Sequence, residues 1–230
     1  MLILTMKRPI AQHLLLFLLC SASATPALAQ LPLMRDVFAA MPDSVVPMVT
    51  KNNRLDCIDF IENNMEAKVR NVLEEYVTLE ALTSDYARFR TSAASLLEMK
   101  LLSVSDSTSV LCLLRTAQTG EPDTPRRLED TVVRFLHPDW TPLDSAARLS
   151  LPAVSAFISE PAPDSLRSTF DQALRSLDSF HPVHLTLAAD DVTLTATLQP
   201  AYLAKDEREA IAPHLRPLRF RWNGHRFLPE

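Results

Sequence analysis

The sequence predicts an α+β protein built from two weakly similar halves. Each half is a helical segment followed by an antiparallel β-meander, and the two are packed into one globular body. Three observations predict it. First, "VFAAMPDSVVPMVTKNNRLDCIDFI" and "AFISEPAPDSLRSTFDQALRSLDSF" share a leading phenylalanine, a Pro-Asp-Ser, helical spacing and a Leu-Asp pair, at an offset of about 120 residues. Second, "TVVRFLHPDWTPL" and "PLRFRWNGHRFLP" both read as strand, tight turn and strand. Third, alternating apolar and polar runs fill the interval in both halves, each with an apolar face to bury.

The first 29 residues read as a secretory signal peptide. Lys7 and Arg8 form a positive segment, "HLLLFLLC" is an apolar core too short to span a bilayer, and "ATPALAQ" puts Ala27 and Ala29 where a signal peptidase needs small residues. Lipoprotein anchoring at Cys20 is the rival, but Leu19 stands where such a signal has a small residue. Cleavage after Ala29 predicts an exported chain, periplasmic or extracellular, with a first half over 30–147 and a second over 148–230. No later run is long and apolar enough for a membrane helix.

In the first half, "PDSVVPMVTKNNRLDCID" is dense in carboxylates and amides. Asp43 or Ser44 supplies an N-cap for a helix from Val45, with Pro47 tolerated in its first turn. Asn52-Asn53 ends that helix, and Asp56 caps a second one through "CIDFIENN". Asp56 and Asp59 could instead pair for acid–base work, but apolar neighbours of helical period favour capping. "EAKVRNVLEEYVTLEALTSDYARFR" adds strands and turns. "SLLEMKLLS" and "SVLCLLRTA" flank the turn "DSTS", and Pro138-Asp139 turns the closing hairpin. Thr141 to Pro163 is the proline-rich connection.

In the second half, Asp164–Ser165 opens a helix. "PVHLTLA" and "VTLTATLQ" flank "DD"; Val192, Leu194, Ala196 and Leu198 face one way, and Thr193, Thr195, Thr197 and Gln199 the other. "KDEREAIAPHL" is a short charged helix stopped near Pro213. In the last hairpin Leu218, Phe220 and Trp222 point inward, Arg219 and Arg221 outward, and Asn223-Gly224 turns the chain.

Composition narrows the chemistry. The chain has two glycines, Gly120 and Gly224, so no phosphate-cradling loop, dinucleotide fingerprint or nucleophile elbow can be built, and no cofactor is expected. Its net charge is −5, and signal cleavage removes two further positive charges, which argues against nucleic acid as a partner. Cleavage leaves Cys57 and Cys112. Each reads as a small buried hydrophobe, and a disulfide between them is the alternative in an oxidising compartment.

Candidate site residues are few. His181 and His184 in "HPVH" lie where a strand starts, so positions three apart face opposite ways and do not form a metal pair. His137 and His225 read as turn-flanking polar residues. Trp140 and Trp222, in the matching hairpins, are either core or, if exposed, paired anchors for a protein or glycan partner. Arg219 and Arg221 are either a solvated strand face or an anion-binding patch.

At "MPDSVVPMVTKNNRLDCIDF", "LLEMKLLS" and "VVRFLHPDWTPL" the chain resembles an uncharacterised family of exported Bacteroidales proteins, a domain of unknown function. The resemblance covers most of residues 35–143 and continues more loosely to the C-terminus. It implies export and supplies no catalytic residues. The resulting expectation is a non-catalytic binding or interaction protein of the cell envelope. The alternative is an envelope hydrolase whose site is assembled from residues distant in sequence.

Overall fold

The computed structural model describes residues 31–119, 127–160 and 162–230. Residues 1–29, read from the sequence as a signal peptide, lie outside the described residues, and Cys20 with them. Leu31–Glu230 forms one compact unit. Among the described residues no helix is long and apolar enough to cross a membrane.

The first half opens with helices α1 (Met34–Ala39) and α2 (Lys51–Glu62). A six-stranded antiparallel meander follows: β1 (Lys68–Arg70), β2 (Tyr76–Leu82), β3 (Tyr86–Ser92), β4 (Ser95–Ser105), β5 (Thr108–Thr119) and β6 (Leu128–Leu136), each paired with its neighbour in sequence. The second half has α3 (Arg167–Phe180), then β7 (Val183–Leu187), β8 (Thr193–Leu198), α4 (Lys205–Ile211), β9 (Leu218–Trp222) and β10 (Phe227–Pro229). Its strands form a four-stranded antiparallel sheet in the order β10-β9-β8-β7. The α+β class and the helix-then-meander order are therefore as the sequence predicts.

Two cores flank the larger sheet. On one face, Val77, Leu79, Phe89, Leu97, Met99, Leu101, Leu111 and Leu113 meet Met34, Phe38, Cys57 and Ile58 of α1 and α2. On the other face, Leu102, Val110, Cys112, Leu114 and Phe135 join Phe170, Ala173 and Leu177 of α3 and the inner face of the second sheet, from Leu185 to Trp222. This second core takes residues from both sides of position 147. The helical period of Phe170, Ala173 and Leu177 and the two-residue period of Leu194, Ala196 and Leu198 are the patterns that sequence predicts for half-buried elements.

The start of the first half differs from expectation. Residues 42–49 are turns, and α2 begins at Lys51. Thr50 is its N-cap: its hydroxyl accepts from the Asn53 amide (3.2 Å), while the Asn53 side chain accepts from the Thr50 amide (3.0 Å). Asn52 and Asn53 thus sit in the first turn of a helix, and Asp56 is an exposed residue within it. Asp43 is no cap either; it pairs with Arg54, described below. The two Pro-Asp-Ser copies therefore diverge. Asp164–Leu166 forms a 3-10 turn leading directly into α3, and the Leu-Asp pairs fall early in α2 and late in α3.

The closing hairpins diverge as well. After β6 the chain turns through His137–Trp140, and only an isolated bridge, Leu136 to Pro142, marks the return. In the second half β9 and β10 pair fully. There the corner is Gly224-His225, one residue later than an Asn-Gly corner: Asn223 pairs with Arg226 (N to O, 3.1 Å), and its side chain accepts from the amides of His225 and Arg226. Gly224 has φ +97°, so any side chain there would be strained.

Candidate functional site: a cleft beside β5 and β6

Helices α1 and α2 cover most of one face of the larger sheet but stop short of its β6 margin. On β5 the covered positions Leu111 and Leu113 are followed, on the same face, by exposed Arg115. On β6 the corresponding face carries Asp130, Val132, Arg134 and Leu136, and the first three are exposed. Arg115 stands opposite Val132, and Leu113 opposite Arg134. The turns at Pro42–Val45 rise beside these strands and enclose a cleft of about 440 Å³. It is lined by Pro42, Val45, Leu113, Val132, Leu136, Trp140 and Pro142, with Arg115, Arg134 and Ser44 as its polar groups.

Three ties hold the cleft wall. Arg54 of α2 is 2% exposed and donates to Asp43 Oδ1 (2.9 Å) and to the Val49 carbonyl (2.9 Å), pinning the turn at both ends. Arg115 donates to the Val45 carbonyl. Trp140 closes the far end with φ +72°, a left-handed conformation that costs a non-glycine residue energy. It is held there by its indole N–H on the Val37 carbonyl (2.9 Å). Beside it the Asp139 carboxyl is held below its ordinary range by the Thr141 hydroxyl (2.6 Å) and amide (2.9 Å). Among the described residues neither Arg115 nor Arg134 has a carboxylate within salt-bridge distance.

The structure does not bring the sequence-predicted candidates together. Trp140 and Trp222 are both buried, at 8% and 7% exposure, so they are core residues and not exposed anchors. Trp222 donates its indole N–H to the Ser103 carbonyl (2.8 Å) and stacks on Phe135. Arg219 and Arg221 are exposed, and Glu230 faces both, at 3.2 and 3.4 Å. Cys57 and Cys112 are free and lie in different cores on opposite sides of the larger sheet, so they do not form a disulfide. Burial pushes the Cys57 thiol up to about 12 and raises that of Cys112 further, as for inert core cysteines.

His181 ends α3 in a left-handed conformation, whereas His184 lies in β7, its Nδ1 2.9 Å from Thr131 Oγ1. Asp56 and Asp59 are exposed on α2. Among the described residues no three His, Cys, Asp or Glu side chains converge as metal ligands would.

A second polar group lies between the sheets. Glu98 on β4 is 1% exposed and accepts from the Tyr86 hydroxyl (2.9 Å), with the Arg88 guanidinium at 3.6 Å. Burial raises its pKa, opposed by that hydroxyl, Arg88 and the Leu187 amide. Lys100, two residues on, donates to the Ala189 carbonyl (2.9 Å) and pairs with Asp85 (2.9 Å). This group faces the second sheet and does not line the cleft.

Sequence reasoning missed both sites. A signal for the cleft existed: the same-face series Leu111, Leu113, Arg115 changes from apolar to basic where the helical cover ends.

The chain belongs to the family described as "Protein of unknown function (DUF3256)", which matches residues 29–227. Among solved structures it is similar to "Structure of a domain of an uncharacterized protein from Porphyromonas gingivalis W83", at 26% identity and a TM-score of 0.69, covering 86% of this chain and 98% of that one. No curated protein matches it.

Proposed function

We propose that this member of the family is an exported binding protein of the cell envelope, and that its cleft beside β5 and β6 receives an anionic group of a partner macromolecule. One observation carries the reading. In a chain of net charge −5, two exposed guanidinium groups without carboxylate partners among the described residues border a mostly apolar cleft. Such a lining desolvates part of a ligand while charge-assisted hydrogen bonds fix its anionic end. Among the described residues, the cleft lining has no carboxylate, histidine or cysteine to act as acid, base or nucleophile. Glu98, the carboxylate that burial pushes up, is enclosed between the sheets and does not supply a hydrolase with an accessible acid.

The test is a titration of isotope-labelled residues 30–230 with N-acetylglutamate, phosphate and sulfate, followed by NMR. Saturable shifts confined to residues 42–45, β5 and β6, and lost in the Arg115→Gln/Arg134→Gln variant, are expected. Shifts scattered over the surface, or none with any of the three anions, would overturn the cleft reading. Export is checked separately: the intact mass of the chain recovered outside the cytoplasm should begin at Gln30.

A further inference from the structure

We propose that the outer side of β6 is a strand-addition site. It takes an extended polypeptide with an acidic, an apolar and a basic side chain at alternate positions on one face. The proposal rests on the cleft reading above and names the chemistry of the ligand.

The backbone supplies the first part. Phe135 donates its amide to Ser145 Oγ (3.0 Å) and accepts from the Leu143 amide (2.9 Å), so its main-chain groups point away from β5. Pairing of β6 with β5 runs without a register shift from Leu136 to Leu128. By the two-residue period of a strand, Val133, Thr131 and Glu129 also turn their N–H and C=O groups away from β5. Among the described residues none of those groups has a hydrogen-bond partner. Of the other outer edges, β1 has three residues, β10 ends at Pro229, and β7 lies against β6, its Leu185 amide donating to Thr131 Oγ1. Where β7 contacts β6, through Thr131, it lies on the face opposite the cleft.

The side chains supply the second part. Between those outward-facing residues, Asp130, Val132 and Arg134 are exposed on the cleft face. A strand laid along β6 would place its own alternate side chains about 5 Å from these three. Charge complementarity then sets the ligand: an acid beside Arg134 and within reach of Arg115, an apolar residue on Val132, and a base beside Asp130. Main-chain bonds to the edge give affinity, and the alternate side chains give selectivity, as in other strand-addition complexes.

Because Leu143 and Ser145 already occupy the edge at Phe135, the probe starts opposite Arg134. It is a blocked hexapeptide of threonines with glutamate, valine and lysine at its first, third and fifth positions, end-labelled and titrated against residues 30–230 by fluorescence anisotropy. Saturable binding is expected, and it should fall roughly tenfold in Arg134→Gln, the loss of one charge-assisted hydrogen bond. The melting temperature of that variant should not change. Of two N-methylated probes, one methylated at odd and one at even amides, a single one should lose binding, because only alternate amides of an added strand face β6. Equal binding by both N-methylated probes would overturn strand addition and leave the anion cleft standing. Loss of probe binding while N-acetylglutamate still shifts the cleft would do the same. Concentration-dependent dimerisation that blocks the probe would make a second copy of the chain the occupant and also overturn the proposal. Failure of the probe and of all three small anions would remove both readings.

Discussion

Successive side chains of β4 enter opposite environments. Leu97, Met99 and Leu101 point into the dry core beneath α1 and α2, where their neighbours are aliphatic, aromatic or sulfur-bearing. Glu98 and Lys100 point the other way and are equally buried, at 1% exposure each, but among Tyr86, Arg88, Asp85 and the edge of the second sheet. One strand therefore carries both a face stabilised by apolar burial and one that needs every partner in place. The dry face depends on volume and tolerates exchange among apolar residues. The charged face depends on geometry, because a buried polar atom without a partner costs about 1–3 kcal/mol.

The largest expected effect tests the dry face. Phe89 is fully buried and packs edge-on against Phe38, with ring centroids 5.1 Å apart. Phe89→Ala should cost about 3–5 kcal/mol, from lost transfer energy and the cavity left behind. Urea unfolding would show it as a lower midpoint at an unchanged slope. A loss below about 1 kcal/mol would mean that α1 collapses onto the sheet, and that this core is not close-packed.

Next comes Arg54, the one charged side chain among the described residues that is buried on the helical side of the sheet. Asp43→Ala leaves the Arg54 guanidinium buried with only the Val49 carbonyl. A loss of about 2 kcal/mol is expected, a charged hydrogen bond's worth. Because the same pair pins the cleft wall, anion titration should also shift Pro42–Val45 less distinctly than in the parent. Thr50→Ala removes the α2 capping box and should cost about 1 kcal/mol in the same assay, with the cleft unaffected.

How far the sequence discloses these regions follows from where their determinants lie. The dry face and both meanders were legible because alternation in "SLLEMKLLS" and "VTLTATLQ" is local, and so were α3 and the charged α4. The start of α2 was misread because Asp43, Ser44 and Thr50 are all acceptable N-caps. What decides is Asn53 three residues after Thr50, together with a distant use for Asp43 on Arg54. The cleft was missed for a similar reason. Arg115 and Arg134 are nineteen positions apart and become diagonal neighbours only through β5–β6 register. Trp140 and Trp222 stand out in the sequence as large aromatics, but their indole acceptors, Val37 and Ser103, lie more than 100 residues away in sequence.

The smallest expected effect sharpens the comparison most. Burial is the largest influence on Glu98 and raises its pKa above that of the unfolded chain. A carboxyl so shifted favours folding below its unfolded pKa, and that contribution is lost as pH rises through the folded value. At neutral pH the buried charge is therefore a cost. Glu98→Gln removes it and keeps an acceptor for the Tyr86 hydroxyl, but its amide nitrogen has no acceptor beside it, so the variant should stay within about 1 kcal/mol of the parent. As pH falls from neutral toward the ordinary carboxyl range, the parent should gain stability relative to the variant. His184, on the same side of the sheet, is held below its ordinary value by burial, so it acts in the opposite sense: its contribution is present above the unfolded histidine pKa and is lost as pH falls. Both proteins carry His184, so the difference between their melting curves isolates Glu98. A parent that instead loses stability relative to the variant on acidification would mean that Glu98 is stabilised as the carboxylate by Arg88 and the Leu187 amide, and that the two faces of β4 differ less than their side chains imply.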